Sequence, residues 1–160
     1  MRETEGRDNQ QVTDSELGWL ANAVESEGSI DLTLSAHGHQ WIPRVTITNT
    51  DPVYIEAAVA IIEKLGVGAY VWTQIKHNPK HKPVKRIAIR GFKRNRVFLP
   101  KILPHMRSDK RRQVECLLSF LEWRAQQDYH SNVDSEGQKI REELTKMRTG
   151  SSETTRDAPA

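Results

Sequence analysis

Residues Trp19–Ile30 read WLANAVESEGSI, and within these twelve positions the chain changes from one periodicity to another. Upstream, Thr13-Asp14-Ser15-Glu16 has the form of a capping box, in which the Thr13 hydroxyl takes the Glu16 N–H and the Glu16 carboxylate reaches back. Leu17, Leu20 and Val24 then recur at i, i+3 and i+7, the stripe of a helix with one face on a core. Gly28 is a natural stop for such a helix. Beyond it Ile30, Leu32 and Leu34 alternate with Asp31, Thr33 and Ser35, which is the period of a half-buried strand.

The same grammar extends along the chain. Ala36–His39 reads as a turn, followed by a strand from Ile42 with Val45 and Ile47 on one face and Arg44, Thr46 and Thr48 on the other. Asn49-Thr50-Asp51-Pro52 closes it, with Asp51 as N-cap and Pro52 in the first turn of a helix through Ile55, Ala58, Val59, Ile62 and Leu65 that ends at Gly66. Tyr70–Lys76 reads as a third strand, His77–Pro83 as a loop, and Val84–Arg90 as a fourth strand with Ile87 and Ile89 inward. Helices are expected over Asn95–Leu103 and Asp109–Gln127, the second on Val114, Leu117, Leu118 and Leu121. The order α-ββ-α-ββ-α-α implies an α+β domain with a four-stranded antiparallel sheet. The expected organisation is a flexible arm over 1–12, the domain over 13–130, a helical extension over 131–148 (Ile140, Leu144, Met147) and a disordered tail over 149–160.

A net charge of +3 conceals a sharp asymmetry. Fourteen of the 24 Lys and Arg lie between Lys76 and Arg112, where Asp109 is the single acid among 21, so that stretch carries +13 and the remainder −10. Such a block favours a polyanion, since each neutralised phosphate releases counterions. The outward side of the expected sheet adds Asp31, Thr33, Ser35, Arg44, Thr46, Trp72, Gln74, Lys76, Arg86 and Arg90, a polar set suited to base edges in a major groove or simply to solvent. Lys80 and Lys82 in the loop, with Arg111 and Arg112, would contact phosphates. One cysteine, Cys116, excludes an internal disulfide framework and reads as a small residue flanking the core. His37, His39, His77 and His81 have no metal-binding spacing, and no apolar run suggests a membrane span or a secretion signal, so an intracellular setting at DNA is expected.

The stretch Trp19–Ile30 resembles the LAGLIDADG motif of homing endonucleases: Leu20 and Ala21 match its start, Val24 its Ile, Glu25 and Glu27 its two acids, and Gly28 its final glycine. RVTITNTD (Arg44–Asp51), KLGVGAYV (Lys64–Val71) and LPHMRSDKRRQ (Leu103–Gln113) resemble family segments in the same order, so the likeness covers roughly residues 13–125. It implies a saddle-like sheet and, because the motif occurs once, a homodimer in which two such helices pack through the small-residue row Gly18, Asn22 and Ser26; Asn22 stands where the family usually has glycine. It further implies an intron-encoded type of enzyme that breaks both strands of a pseudo-palindromic DNA across the minor groove, leaving 3′ overhangs. By position in the motif Glu27 would be the metal ligand and the Ser26 carbonyl a second one, with Mg²⁺ or Mn²⁺ active and Ca²⁺ supporting binding without cleavage. Glu25 would be structural. Lys110 is similar to the family's catalytic lysine, an assignment shared with its neighbours Arg111 and Arg112, and Asn49 lies near a water-positioning residue. Some relatives on this scaffold are non-cleaving regulators or maturases that bind intron RNA, which is the alternative implied.

Overall fold

In the computed structural model of the protein, residues 11–35, 40–127 and 134–153 are described. The first helix, α1 (Asp14–Glu27), begins at the expected cap: Glu16 N–H donates to Thr13 Oγ1 at 3.1 Å, and Thr13 N–H donates to the Glu16 carboxylate at 3.2 Å. Lys64, the last residue of α2 (Pro52–Lys64), donates to the same carboxylate at 2.8 Å. One acid therefore caps the start of α1 and holds the end of its neighbour. Leu20, Ala21, Ala23 and Val24 are buried and Leu17 only partly, so the core face is wider than the leucine stripe predicts. Two alanines on that face let the helix lie close to the sheet.

Gly28 does end α1, though not through a left-handed turn. Its φ of −105° is extended, and it is already the first residue of β1 (Gly28–Leu34). Helix passes into strand with no residue between them. What demands glycine is space: a Cβ there would stand 2.5 Å from the Val24 carbonyl oxygen.

β2 (Trp41–Asn49), β3 (Tyr70–Gln74) and β4 (Val84–Arg90) complete one sheet in the order β1-β2-β4-β3, every pairing antiparallel, as expected. Residues 36–39, expected as a turn, lie outside the described residues, but Ser35 closes the hairpin, with its N–H 2.7 Å from the Gln40 carbonyl. The register sorts the strands into two faces. Ile30, Val45, Ile47, Ile87 and Ile89 are buried on the side covered by α1, α2 and α3 (Phe92–Ile102). α2 starts on Asp51, whose carboxylate accepts the Val53 N–H at 2.9 Å, and is followed by Gly66 at φ +73°.

α3 begins three residues earlier than Asn95, where it was expected. Gly91, at φ +110°, turns the chain straight out of β4, and the fully buried Asn95 instead clamps the turn from inside, donating to the carbonyls of Gly91 (2.8 Å), Pro43 (3.1 Å) and Ile89 (3.2 Å). A 3₁₀ turn (Leu103–His105) leads to α4 (Lys110–Ala125), whose Val114, Leu117, Leu118 and Leu121 are buried as the periodicity predicts. α5 (Asp134–Glu153) packs along α4 and β1 with Ile140 and Leu144 buried. Its helix runs past 149, into the stretch expected to be a disordered tail, with Thr149 Oγ1 donating to the Thr145 carbonyl at 3.1 Å. Val12, placed in the flexible arm by sequence, packs against the core. Residues 1–10 and 154–160 lie outside the described residues.

Gly28→Ala should lower stability by about 2–3 kcal/mol because backbone cannot move away from the new methyl. Gly18→Ala on the same helix, where a Cβ meets nothing within 4 Å, should raise protomer stability by about 0.5–1 kcal/mol. Urea midpoints at constant slope measure both. Cys116 provides a second check: burial, together with a hydrogen bond to the Glu143 carboxylate at 3.5 Å and its charge, pushes the thiol up to about 11. Its alkylation by iodoacetamide at pH 8 should be on the order of a hundredfold slower than that of an exposed thiol.

Candidate functional site

The last turn of α1 holds Glu25 and Glu27 and no basic residue. Carboxylates at a helix C-terminus oppose its dipole, so compensation must come from elsewhere in the fold. It comes from Lys110, the first residue of α4, whose Nζ donates to the carbonyls of Gly28 (2.6 Å), Glu25 (2.9 Å) and Val24 (3.3 Å). Burial lowers the Lys110 pKa below the usual lysine value, against the opposing pull of the Glu25 and Glu27 charges. Glu25 is structural, as the sequence reading had it. Its carboxylate accepts the N–H groups of Arg107, at 3.0 Å, and of Ser108, and so fixes the bend that delivers Lys110. Burial pushes that carboxyl up, but the Ser108 and Arg107 hydrogen bonds and the Lys110 charge outweigh it, and the net shift is downward.

Glu27 is left exposed, and among the described residues no hydrogen bond or ion pair engages its side chain. It terminates the row expected as a helix seam. Asn22 and Ser26 are exposed and Gly18 partly so, with Ser26 Oγ donating to the Asn22 carbonyl at 2.8 Å. A groove of about 480 Å³ runs beside this row, between Asn22 and Glu25 on one wall and His105, Arg107 and Ser108 on the other. Among the described residues no three His, Cys, Asp or Glu side chains come together, so the chain offers a single free carboxylate and the neighbouring Ser26 carbonyl at this point. Those are hard oxygen donors, which suit Mg²⁺ when phosphate and water complete its shell.

The sheet face away from the helices carries most of the remaining candidates. Asp31 and Thr33 on β1, Arg44 on β2, Arg86 and Arg90 on β4, and Trp72 and Gln74 on β3 share it by register. Thr46 is a correction: it lies on this face but is only 7% exposed, and Ala88 beside it 3%. Short side chains in mid-sheet are roofed by longer neighbours, and the two form the floor of the surface. Arg44 sits directly opposite Arg90, a like-charge pair that disfavours the sheet unless an anion intervenes. The Nε atoms of Arg44 and Arg86 are buried and have no hydrogen-bond partner among the described residues.

Around this face Lys76 follows the end of β3, and Lys80 and Lys82 stand exposed in a loop shaped by Asn78, whose side-chain oxygen accepts the Lys80 N–H at 3.0 Å. Ser35 Oγ accepts the Gln40 N–H at 3.2 Å and marks the hairpin end. Arg112 is exposed, whereas Arg111 is partly committed to the Met106 carbonyl (3.1 Å) and to Glu115 (2.9 Å). Asn49 is not brought to the polar face. It pairs with Lys85 on the opposite side of the sheet, and its side-chain oxygen accepts the Asp51 N–H at 2.8 Å. Two basic residues on the surface were missed by sequence reasoning. Arg148 of α5 reaches Asp31, and Arg94 lies 5.0 Å over the Tyr70 ring. Arg148 continues the buried row Gly137, Ile140, Leu144 by one further turn, which was its only sequence signal.

No family model matches this sequence, and no curated protein matches it either. Among solved structures the chain is similar to the homing endonuclease I-CvuI in complex with its target in the presence of Ca (17% identity, TM-score 0.63, 83% of this chain on 82% of that one). It is also similar to I-CvuI in complex with the I-CreI target in the presence of Mg, with the DNA not cleaved (18%, TM-score 0.62, 83% on 82%). The LAGLIDADG homing endonuclease I-GzeII, in complex with its DNA target, matches at 14% and TM-score 0.56, over 82% of this chain but 43% of that one. The fold is that of the LAGLIDADG homing endonucleases. In this homing-endonuclease fold the acidic end of α1, the capping lysine and the polar sheet face are all built from residues described above, while the likeness in sequence is low.

Glu25→Gln exchanges a charged acceptor of two N–H groups for a neutral one and should lower stability by about 1–2 kcal/mol, read from the urea midpoint.

Proposed function

We propose that the protein is a site-specific DNA endonuclease, metal-dependent and active as a homodimer on a pseudo-palindromic target. The observation that carries this reading is the free Glu27 carboxylate at the exposed end of a small-residue helix row, with Lys110 locked behind it. The fold likeness to homing endonucleases solved with DNA targets supports it, as does the excess of basic over acidic groups on the polar sheet face. Since this fold spans most of I-CvuI and under half of I-GzeII, the same unit occurs as nearly a whole chain and as part of a longer one. A single carboxylate per protomer fits the first arrangement, in which a second copy brings its own Glu27 to the row formed by Gly18, Asn22 and Ser26.

Glu27 and the Ser26 carbonyl would hold Mg²⁺ or Mn²⁺, with Ca²⁺ supporting binding only; the bound metal polarises a phosphodiester and lowers the pKa of water. Lys110 directs its donors at backbone carbonyls, so it acts on the phosphate by its field and by fixing the helix end on which Glu27 stands. Lys76, Lys80, Lys82, Arg111 and Arg112 bind backbone phosphates, with Ser35 at the hairpin end. Thr33, Trp72, Gln74, Arg86 and Arg90 face the bases, and hydrolysis of one bond per strand leaves 3′ overhangs.

Incubation of the wild type and Glu27→Gln with a randomised palindromic duplex library, in Mg²⁺ and in Ca²⁺, tests the reading. Specific double-strand cuts by the wild type in Mg²⁺ are expected, with Glu27→Gln enriching the same sequences uncut. Bound but uncut DNA from both proteins in Mg²⁺ would refute an endonuclease. Gly18→Leu should keep protomer stability yet abolish the dimer in sedimentation velocity with target DNA, and reduce double-strand cleavage at least about a hundredfold.

A further inference from the structure

Asp31 is an acid in the middle of a basic face, and its surroundings are specific. One carboxylate oxygen accepts from Arg44 Nη2 at 3.5 Å and from Ser29 Oγ at 3.5 Å, and the other accepts from Arg148 Nη1 of α5. Its side chain is 16% exposed against 41% for Arg44 and 40% for Arg148, so the arginines cover the acid and stand outside it. An uncovered carboxylate here would repel phosphate, and a covered one has no free oxygen with which to accept from a base. Arg44, in turn, faces Arg90 directly across the ladder and, among the described residues, has no acceptor for its buried Nε. Repulsion would drive it off without an anion to hold it. Bidentate reading of guanine requires an oriented guanidinium, and the Asp31 carboxylate is the anion within reach of Arg44 Nη2.

The reach of Arg148 is built in and does not depend on a chance surface encounter. Gly137 is buried where a Cβ would stand 2.3 Å from Trp41 Nε1, Ile140 and Leu144 are buried on the next turns, and Arg148 follows on the same side. α5 is therefore seated against α4 and β1, with Trp41 of β2 against Gly137, and its seating determines where Arg148 meets the acid.

We propose that Asp31 and Arg148 are positioning residues that hold Arg44 for base recognition, so that α5, outside the sheet, sets sequence preference at one base pair in each half-site. This rests on the DNA-binding reading above. Asp31 then recognises DNA through Arg44 and not by direct contact, and Arg148 cancels the charge that Asp31 would otherwise present to the duplex.

Bound pools of a randomised duplex library would be sequenced for the wild type, Arg44→Ala, Arg148→Ala, Arg148→Lys, Asp31→Asn and the double variant Asp31→Asn/Arg148→Ala, with folding followed by far-ultraviolet circular dichroism. Arg148→Ala should weaken binding to the best wild-type sequence about tenfold and blur the same base pair that Arg44→Ala blurs. Removing the acid as well should restore affinity to within about threefold while the preference stays lost. Arg148→Lys, which keeps charge without the planar fork, should bind within about threefold of wild type and blur that base pair alone. Uniform weakening with an unchanged preference, a changed preference at a different base pair, or no change at all would overturn the proposal while leaving DNA binding intact. Failure of the wild type to enrich any duplex would overturn the DNA-binding reading, and this proposal with it.

Discussion

One ammonium group on three backbone carbonyls holds the acidic end of the first helix together. α1 finishes in two acids with no base to answer them, and its last carbonyls would face solvent or repel one another. Lys110 arrives from 85 positions beyond Glu25 in the sequence to accept that burden, and Glu25 secures the bend from which Lys110 projects. Because β1 begins on the residue after α1, the same clamp also fixes where the first strand enters the sheet. Gly28 makes the junction possible by leaving room for the Val24 carbonyl. The consequence is a division of labour between two glutamates two residues apart: one is absorbed into the scaffold, and the other is left free.

A comparable economy governs the sheet. Its helix-covered face is aliphatic and its other face is polar, with arginines set against each other across β2 and β4. Such a surface is poorly compensated within the chain, since Asp31 is the one acid paired there among the described residues. Burial of Thr46 and Ala88 beneath the longer side chains makes the surface a shallow floor edged by guanidinium groups. Unpaired donors on a floor of that kind favour an acceptor-rich partner such as duplex DNA. The edge strand β3, exposed throughout, carries Trp72 and Gln74 toward the same side.

Much of this is legible in the sequence. The capping box at Thr13, the Asp51-Pro52 start of α2, the alternation in β1, β2 and β4 and the stripe of α4 are signals spread over a few neighbouring residues, and each appears as expected. The places that were misread are those where a local signal lost to a distant one. Asn95 looked like the opening of a helix but serves as an interior clamp on Pro43, more than fifty positions away in sequence. Thr46 alternates like its outward neighbours but is covered by them. The segment past 149 has the composition of a tail, yet α5 continues into it as far as Glu153.

By itself, then, the sequence determined the elements, the sheet's two-sided character, the concentration of positive charge between Lys76 and Arg112, and the candidate acid at the end of the first helix. These follow from caps, periodicity and composition, which act within a turn or a strand. Only the tertiary structure decided which groups engage Glu25, that Lys110 closes the helix end, that Asn49 faces away from the polar surface, and that Arg148 meets Asp31 from 117 positions along the chain. Charge compensation and burial depend on which groups packing brings within a few ångströms of one another, and no spacing along a single chain encodes that.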